Sequence, residues 1–374
     1  MLIAITGWSP VAKSNRRREL AFRALASAAI KYNVPLVITS PSKLLGGKYF
    51  SGWTCSKQNG NIIWGKSMWS LTPKAVVYDA MYLRDLKSHR SSYRRLLVRL
   101  RQDKTLIFNP VLPAKDELYR VLTKSKIDGG RLPRTVTSIS PAGVLRMLDG
   151  NNRLWLKPVF GSGGRNIAFI ERQPSGKYLV VVERHRNRRL QEELGRAGLL
   201  ELVRQLTRHR TYMAQEHVDL ASTPDGRKID FRITVQRKDT GAWDVTATTV
   251  RLGAPGSVLT NFHAGGKVRS LTRADESREF LEGLGVTPTD IHQMKQLALR
   301  VARRLQSYYP SLGILGLDVG HTQAGEFFVY DFNGRPGRDI LTDEEVVRFM
   351  DSVAGYARYL SDLRKHKTDA ESRR

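Results

Sequence analysis

The chain has 374 residues, of which 41% are hydrophobic, and its 62 lysines and arginines outnumber its 35 aspartates and glutamates to give a net charge of +27. This length predicts two or three packed subdomains, and this hydrophobic content excludes a globally disordered chain. The single cysteine, Cys55, excludes an internal disulfide and fits a reducing cytoplasm, and no apolar run approaches the roughly 20 residues that cross a bilayer.

The excess of positive charge is the unusual feature of this composition. Such a field attracts polyanions, among them nucleic acid, anionic polymers and phosphorylated small molecules. A solvated surface that keeps the protein soluble, or a bias toward arginine, explains the same composition. Charge alone therefore leaves the kind of partner open.

The first part of the chain alternates between short apolar strands and helices. The predicted strands span residues 2–6, 36–39, 75–79 and 106–109, and the predicted helices span 16–32 and 88–102. Strands that alternate with helices form a parallel sheet covered on both faces. The sequence therefore predicts an N-terminal α/β domain over residues 1–112.

The rest of the chain changes to hairpins and longer helices, an α+β pattern. The predicted strands span 154–157, 167–171, 178–183, 230–237, 243–251, 314–319 and 326–333, and the predicted helices span 190–206 and 289–309, the latter capped by Thr289 or Asp290. We predict two lobes over residues 113–218 and 219–363, followed by a disordered tail at 364–374.

One predicted strand ends at Lys157 and runs into a glycine-rich turn formed by Gly161, Ser162, Gly163 and Gly164. Glycines let the backbone approach phosphate oxygens closely and expose several N–H donors to them. An exposed lysine adds a fixed positive charge. The segment is therefore a candidate phosphate site, although a hairpin whose glycines only satisfy tight-turn geometry explains it too.

A second candidate site lies on the last two predicted strands. Alternation places Asp331 and Asn333 on one face, with Tyr330 and Phe332 on the other, and Asp318 ends an otherwise apolar strand. If these strands pair antiparallel, the three polar side chains converge. Their oxygens suit Mg²⁺. The alternative is a turn-capping aspartate followed by a surface Asn-Gly turn.

A third group of polar residues precedes these strands. Asp230 and Arg232 share a strand face, and Arg232, Arg251 and Lys267 are candidates to hold phosphate or a substrate carboxylate. His263 is a candidate general base, but a loop histidine is more often a plain hydrogen-bond partner. The general base therefore stays open.

Taken together, these segments resemble the ATP-grasp superfamily, and most closely its YheC/YheD (endospore-coat-associated) branch. The match keeps its order over about residues 113–345. The lysine and glycine segment looks like the phosphate-grasping strand and lid loop, and the Asp318 group resembles the metal-binding triplet. The "D-x-R … R … N-x-x-x-G-G" series of the peptide-ligase-like members is matched by Asp230, Arg232, Arg251, Asn261, Gly265 and Gly266.

The resemblance implies a parallel-sheet pre-ATP-grasp domain followed by a two-lobed ATP-grasp fold. It places adenine at a hinge formed by Gln215, Glu216 and Val218. It makes Lys115 the first ATP lysine, with Lys124 or Lys126 as competitors. In total, the implied nucleotide-binding residues are Lys115, Lys157, Gly161, Ser162, Gly163, Gly164, Gln215, Glu216, Val218, Asp230 and Lys267.

The sequence departs from the family pattern at two positions. Asp331 stands where many members carry glutamate, so its carboxylate reaches less far. Gly316 stands where the D-alanine–D-alanine ligases have an arginine near the transferred phosphate. The resemblance then assigns that catalytic role to Arg232, Arg251 or Arg338.

The implied reaction is ATP-dependent joining of a carboxylate to an amine through an acylphosphate, with release of ADP. The implied cofactors are ATP and one or two Mg²⁺, with Mn²⁺ as an alternative, and the substrates include peptides or acidic molecules. A rival interpretation is a non-catalytic or structural ATP-binding protein of the spore-coat-associated type. A third is a nucleic-acid binder.

Two helical stretches, residues 84–101 and 184–210, carry much of the positive charge. In the second stretch the apolar residues face the core, so most of its arginines face solvent. Exposed like charges repel, and stability does not explain them. We predict that this stretch recruits a polyanionic polymer or an acidic peptide through Arg184, Arg186, Arg188 and Arg189.

Overall fold

The computed structural model describes residues 1–12, 15–82, 85–124, 127–160, 166–183, 189–254, 266–271 and 278–371. Within these ranges the chain forms three sheets, each with helices packed on it. None of the helices in the described ranges is both long enough and apolar enough to cross a membrane.

The N-terminal sheet has six strands in the order β4-β3-β2-β1-β5-β6. The strands are β1 (Leu2–Ile5), β2 (Leu36–Thr39), β3 (Tyr49–Gln58), β4 (Asn61–Ser70), β5 (Val76–Asp79) and β6 (Leu106–Phe108). Strands β2, β1, β5 and β6 pair in parallel, as predicted. The antiparallel β3–β4 hairpin extends this sheet and is absent from the sequence-based prediction.

Helices cover both faces of this sheet. They are α1 (Arg16–Lys31) and α9 (Asp343–Glu371) on one face, and α2 (Pro41–Leu45) and α3 (Leu86–Gln102) on the other. Helix α9 continues through residues 364–371, which the sequence analysis assigned to a disordered tail. No proline or glycine interrupts residues 365–371, so nothing in the sequence stops the helix. Residues 372–374 lie outside the described ranges.

The second sheet is antiparallel, in the order β11-β10-β9-β8-β12-β7. Its strands are β7 (Thr135–Thr137), β8 (Arg153–Pro158), β9 (Ala168–Arg172), β10 (Tyr178–Glu183), β11 (Arg189–Leu194) and β12 (Tyr212–Glu216). Strand β11 corrects the helix predicted for 190–206, because Leu190–Leu194 pair with β10 at the sheet edge. The helix begins only after Gly195. Two helices cover one face of this sheet, α5 (Pro141–Gly150) and the corrected helix, α6 (Arg196–Thr207).

The third sheet is antiparallel, in the order β15-β14-β13-β16-β17. Its strands are β13 (Ile229–Arg237), β14 (Trp243–Leu252), β15 (Lys267–Ser270), β16 (Ile314–His321) and β17 (Phe327–Asn333), and the nearby helices are α4 (Lys115–Thr123), α7 (Arg278–Glu282) and α8 (Pro288–Tyr308). The cap of α8 is Thr287 rather than Thr289 or Asp290. The Thr287 hydroxyl accepts from the Asp290 N–H, and the Asp290 carboxylate accepts from the Thr287 N–H.

The predicted fold class is confirmed as a mixed α/β architecture. A parallel-sheet N-terminal portion precedes two antiparallel sheets. The sheets occupy residues 2–108, 135–216 and 229–333, so each lies within one predicted domain. The boundaries themselves stay predictions.

Candidate functional site

The two faces of the third sheet have different chemistry. Its apolar face packs against α8 through residues such as Phe231, Ile233 and Leu317, which are fully buried. The other face carries charged residues at the alternate positions. Register places Asp230 of β13 opposite Arg251 of β14, and Arg232 of β13 opposite Asp318 of β16.

These four residues form a buried cluster of ion pairs. The Arg251 guanidinium donates two hydrogen bonds of 2.6 Å to Asp230, and its Nη2 lies 3.0 Å from Asp318 Oδ2. Arg232 forms a two-point contact with the same Asp318 carboxylate. Asp230 and Asp318 are only 0% and 6% exposed. The cluster therefore holds two guanidinium groups in defined positions.

The two arginines keep Asp318 ionised. Burial would raise the pKa of the Asp318 carboxyl, but the charges of Arg232 and Arg251 outweigh burial and hold that pKa well below its usual range. Both carboxylate oxygens of Asp318 are engaged by guanidinium groups.

Tyr330 belongs to this cluster, which corrects the sequence-based expectation that it faces away from Asp331. A register shift between β16 and β17 pairs Asp318 with Asp331 and Val319 with Val329, so Tyr330 has no direct partner. Such an extra residue redirects its side chain. The Tyr330 hydroxyl donates to Asp230.

The remaining predicted metal ligands lie beside the cluster on β17. Lys115, the first residue of α4, places its Nζ 2.6 Å from Asp331 Oδ1. The Asn333 side-chain oxygen accepts from the Arg335 N–H at 2.9 Å. Among the described residues, Asp331 Oδ2 makes no hydrogen bond or ion pair.

This donor set fits Mg²⁺ in part. Asp331 and Asn333 supply the oxygen donors that Mg²⁺ prefers, and waters and phosphates complete its shell. Across the described residues, no three histidine, cysteine, aspartate or glutamate side chains gather at one point, so a set of three protein donors here would have to include the amide of Asn333. Asp318 fits only by exchanging an arginine contact for the ion.

Lys157 reaches the same region from β8. Its Nζ donates to Gln215 Oε1 at 2.5 Å and lies 5.4 Å from the centre of the Tyr330 ring. The sequence predicted an exposed lysine, whereas this side chain is half-buried and its ammonium is directed at Gln215. Burial lowers its pKa to about 8, against the opposing charges of Asp331 and Asp318. Among the described residues, no carboxylate contacts the Lys157 ammonium directly. The ammonium is therefore available to pair with a ligand phosphate.

A buried hydrogen-bond network holds this lysine. The Gln215 amide accepts from Lys157 and donates to the Tyr119 hydroxyl at 2.7 Å and to Thr135 Oγ1 at 3.0 Å. The Tyr119 hydroxyl then donates to the Tyr330 carbonyl at 2.7 Å. The network joins the second sheet to the third.

The predicted hinge residues follow on β12. The Gln215 side chain serves Lys157, and its backbone lies inside the sheet between β8 and β7. The Glu216 carboxylate accepts from the Arg134 N–H at 2.7 Å, and Val218 is half-buried just beyond the strand. Contact of these residues with adenine stays a prediction.

Sequence reasoning missed three network members, namely Tyr119, Tyr330 and Thr135. Only Tyr119 had a usable signal. It follows Lys115 by four residues, a spacing that puts both side chains on one face of α4. The other two depend on strand register.

Two predicted residues lie away from the cluster. Arg338 stacks over Tyr82 and Phe349, at 5.2 and 5.8 Å, beside the N-terminal sheet and α9. Lys267 is exposed and pairs with Leu252, so it lies on the sheet face opposite to Arg251. Neither is brought to the cluster.

Other predicted positions lie outside the described ranges. They are Gly161, Ser162, Gly163, Gly164, Asn261, His263, Gly265, the competing Lys126, and Arg184, Arg186 and Arg188. Lys124 is exposed at the C-terminal cap of α4, whereas Lys115 contacts Asp331.

The packing around Gly316 explains why this position does not carry the arginine that the resemblance implies. A Cβ at Gly316 would lie 2.8 Å from Pro336 Cβ and 3.4 Å from Arg232 Cδ. No side chain fits this position without displacing the loop after β17. Of the three alternative arginines, Arg232 and Arg251 occupy the cluster.

The chain is similar in sequence to two endospore coat-associated proteins. The chain is 24% identical over 265 residues to the endospore coat-associated protein YheD of Bacillus subtilis (strain 168), covering 68% of this chain and 56% of YheD. It is 22% identical over 279 residues to YheC of the same organism, covering 73% of this chain and 74% of YheC. The alignment thus spans about half of the length of YheD.

Solved structures show the same fold. The ATP-grasp ligase PsnB, complexed with a minimal precursor, Mg and ADP, superposes with a TM-score of 0.52 over 96% of this chain and 98% of PsnB, at 13% identity. A sequence model of the YheC/D-like ATP-grasp proteins matches residues 104–360, more than half of the chain. The chain therefore belongs to the YheC/D-like ATP-grasp family.

Proposed function

We propose that this protein is an ATP-dependent carboxylate–amine ligase that works through an acylphosphate and releases ADP. The observation that carries the proposal is the convergence of four cationic side chains, Lys115, Lys157, Arg232 and Arg251, on one face of the third sheet. Phosphoryl transfer depends mostly on positioning and on neutralising charge.

The geometry suggests a division of labour among these residues. Lys115 and Lys157 would hold the α- and β-phosphates. Arg232 and Arg251 are pre-oriented by Asp318 and would neutralise the developing charge on the acylphosphate.

A metal ion fits beside these cations. Asp331 and Asn333 would hold one or two Mg²⁺, Asp318 would join them by exchanging an arginine contact for the ion, and Mn²⁺ would suit the same oxygen donors. The bound ion would supply positive charge next to the phosphates.

The substrates we propose are a carboxylate and an amine, at least one carried by a peptide or an acidic molecule. PsnB was also solved with a precursor peptide, which supports a peptide as one substrate. The names of YheC and YheD support a site of action at the spore coat.

A non-catalytic ATP-binding protein is the alternative. Against it, each described position that faces phosphate or metal carries a competent side chain. The test is release of ADP and phosphate from ATP, measured against a panel of carboxylates and amines. ATP binding without any acceptor-dependent release would favour the alternative.

Replacing Lys157 with methionine is expected to weaken ATP binding by about tenfold or more while the protein stays folded. Methionine keeps the volume, and it removes a charge whose burial is costly. Titration calorimetry at several pH values measures the effect. Wild-type affinity should decline as pH rises above about 8, where the free lysine loses its proton, and the variant should lack that decline. Equal ATP affinity in both proteins would contradict the role of Lys157.

Helix α6 packs on the face of the second sheet opposite to Lys157, and its exposed arginines support an anionic partner there. Leu199 and Val203 are buried, whereas Arg204, Arg208 and Arg210 are exposed. We predict that the triple alanine variant at these arginines binds polyglutamate or duplex DNA more weakly but binds ATP normally. For DNA, the slope of log K against log salt should become shallower by roughly 0.9 for each phosphate that the variant no longer neutralises.

The matched control removes three exposed arginines elsewhere. Arg90, Arg94 and Arg101 lie on α3, and their triple alanine variant changes net charge by the same amount. Fluorescence anisotropy compares both variants. An equal decrease of affinity in the two would mean that only net charge matters.

A further inference from the structure

The loop after β17 is held by the N-terminal sheet. The Arg335 guanidinium crosses to the end of β5, where its Nη2 lies 2.5 Å from Asp79 Oδ2 and 2.9 Å from the Tyr93 hydroxyl. Its Nη1 donates to the Met81 carbonyl. One side chain of the nucleotide-binding half is thus bound at three points by residues 79–93.

This contact is buried, and it uses both terminal nitrogens of Arg335, while Arg335 Nε has no hydrogen-bond partner among the described residues. Asp79 is 1% exposed, and it also accepts from the Met81 N–H at 3.1 Å and from the Tyr93 hydroxyl. Burial raises the pKa of Asp79, while Arg335 opposes that rise. Buried ion pairs add little net stability over apolar packing, but they define position, because leaving either partner alone is costly.

A second contact fixes the preceding residue. The Asn109 amide donates to the Gly334 carbonyl at 2.6 Å and accepts from the Ile314 N–H at 3.1 Å. Leu112 packs under Gly334 so closely that a Cβ there would lie 2.6 Å from Leu112 Cγ. The loop is therefore anchored at two successive residues immediately after Asn333.

Asn333 itself depends on this anchored loop. Its side-chain oxygen accepts from the Arg335 N–H, so the amide group and the loop backbone form one unit. A shift of the Arg335 backbone would move the amide oxygen relative to Asp331, two residues earlier on the same strand.

We propose that Asp79 and Asn109 are positioning residues for the nucleotide site: they fix the loop through Arg335 and Gly334 and so set the Asn333 amide beside Asp331. The N-terminal sheet is then a structural part of the metal-binding edge. The inference rests on the proposed function, because Asn333 matters in this way only if it helps to hold Mg²⁺.

The test is Asp79→Asn, which keeps the shape of the side chain and removes the charge that anchors Arg335. Substituting a residue that holds a metal ligand in place typically lowers metal affinity by about 10- to 100-fold. We expect the Mg²⁺ concentration for half-maximal ATP turnover to rise about tenfold, with excess Mg²⁺ restoring turnover. ATP affinity measured in EDTA should change less than about twofold, since the lysines are untouched.

Asp85→Asn is the matched control. Asp85 is 6% exposed, accepts from Trp8 Nε1 at 2.7 Å and lies 3.9 Å from Arg18, so both of these partners belong to the N-terminal portion rather than to the β17 loop. A general weakening of the N-terminal portion would affect both variants. Equal shifts of the Mg²⁺ dependence in the two, or no shift in Asp79→Asn, would overturn the proposal.

Hydrogen exchange without nucleotide separates this inference from the proposed function. Peptides covering residues 333–338 should exchange faster in Asp79→Asn than in wild type or Asp85→Asn. If they do and wild type binds no Mg·ATP, the loop anchor stands and the proposed function fails. If wild type turns over ATP but these peptides exchange alike in all three proteins, the anchor fails and the function stands.

Discussion

Replacing Asp331 with asparagine is expected to reduce Mg²⁺-dependent ATP turnover on the order of 100-fold or more, with the protein still folded. The substitution keeps the shape of the side chain but removes the anionic oxygen that has no other partner among the described residues. A bound metal supplies several kcal/mol to charged transition states, and each 1.4 kcal/mol is about tenfold in rate. The ion pair between Lys115 and Asp331 is partly exposed, so breaking it costs about 1 kcal/mol or less.

The informative comparison is with Asp331→Glu. The resemblance to the superfamily implies glutamate at this position in many members, so we expect a longer carboxylate to retain part of the turnover. ADP release is measured over a Mg²⁺ series, alongside ATP binding in EDTA. If the asparagine variant turns over normally at ordinary Mg²⁺, Asp331 is structural and the metal lies elsewhere.

Strand alternation explains why most of this site could be found in the sequence. Asp230 and Arg232 lie two residues apart on β13, and Asp318 and Asp331 lie on neighbouring strands that meet the condition of antiparallel pairing. Residues on one face of a sheet converge once the strands pair. Buried polar residues at regular positions in apolar strands therefore located the cluster.

The register shift beside Tyr330 shows where alternation fails. The extra residue at Tyr330 brings its side chain to the same face of the sheet as the buried cluster. No local signal in residues 326–333 marks this shift. The Gln215 network could be found only in part: the spacing from Lys115 indicates Tyr119, but nothing local indicates its contact with Gln215 or that of Thr135. Such contacts are set by how the sheets meet.

The fold errors have local causes. The β3–β4 hairpin turns at Asn59-Gly60, a strong turn signal, but its strands mix aromatic residues with serine, glycine and lysine and lack a regular alternation of apolar and polar residues. Leu190 and Leu194 of β11 have the same apolar spacing as the residues of α6. Only Gly195 separates the two elements in the sequence. Periodicity alone could not distinguish an edge strand from an early helical turn.

Arginine at position 251 couples the stability of the third sheet to its chemistry. Its guanidinium is the direct partner of Asp230, which is fully buried, and it also contacts Asp318. Removing one partner of a buried pair typically costs about 3–5 kcal/mol, because the remaining charge is left without compensation. The same guanidinium is proposed to face the transferred phosphoryl group, so activity and stability should fall together.

We therefore expect Arg251→Met to unfold at a markedly lower denaturant concentration than wild type. The free energy of unfolding of the lobe that contains β13 and β14 should fall by about 3–5 kcal/mol. The double variant Asp230→Asn with Arg251→Met removes both charges and should recover much of that stability, since neutral groups of similar size need no counter-charge. ATP turnover should stay abolished in both variants, because neither carries the guanidinium. Denaturant titration with hydrogen exchange of β13 and β14 measures stability, and ADP release measures turnover. A single variant as stable as wild type would mean that Tyr330 and Arg232 suffice to compensate the buried carboxylates, and turnover in the double variant would assign the phosphoryl contact to Arg232 alone.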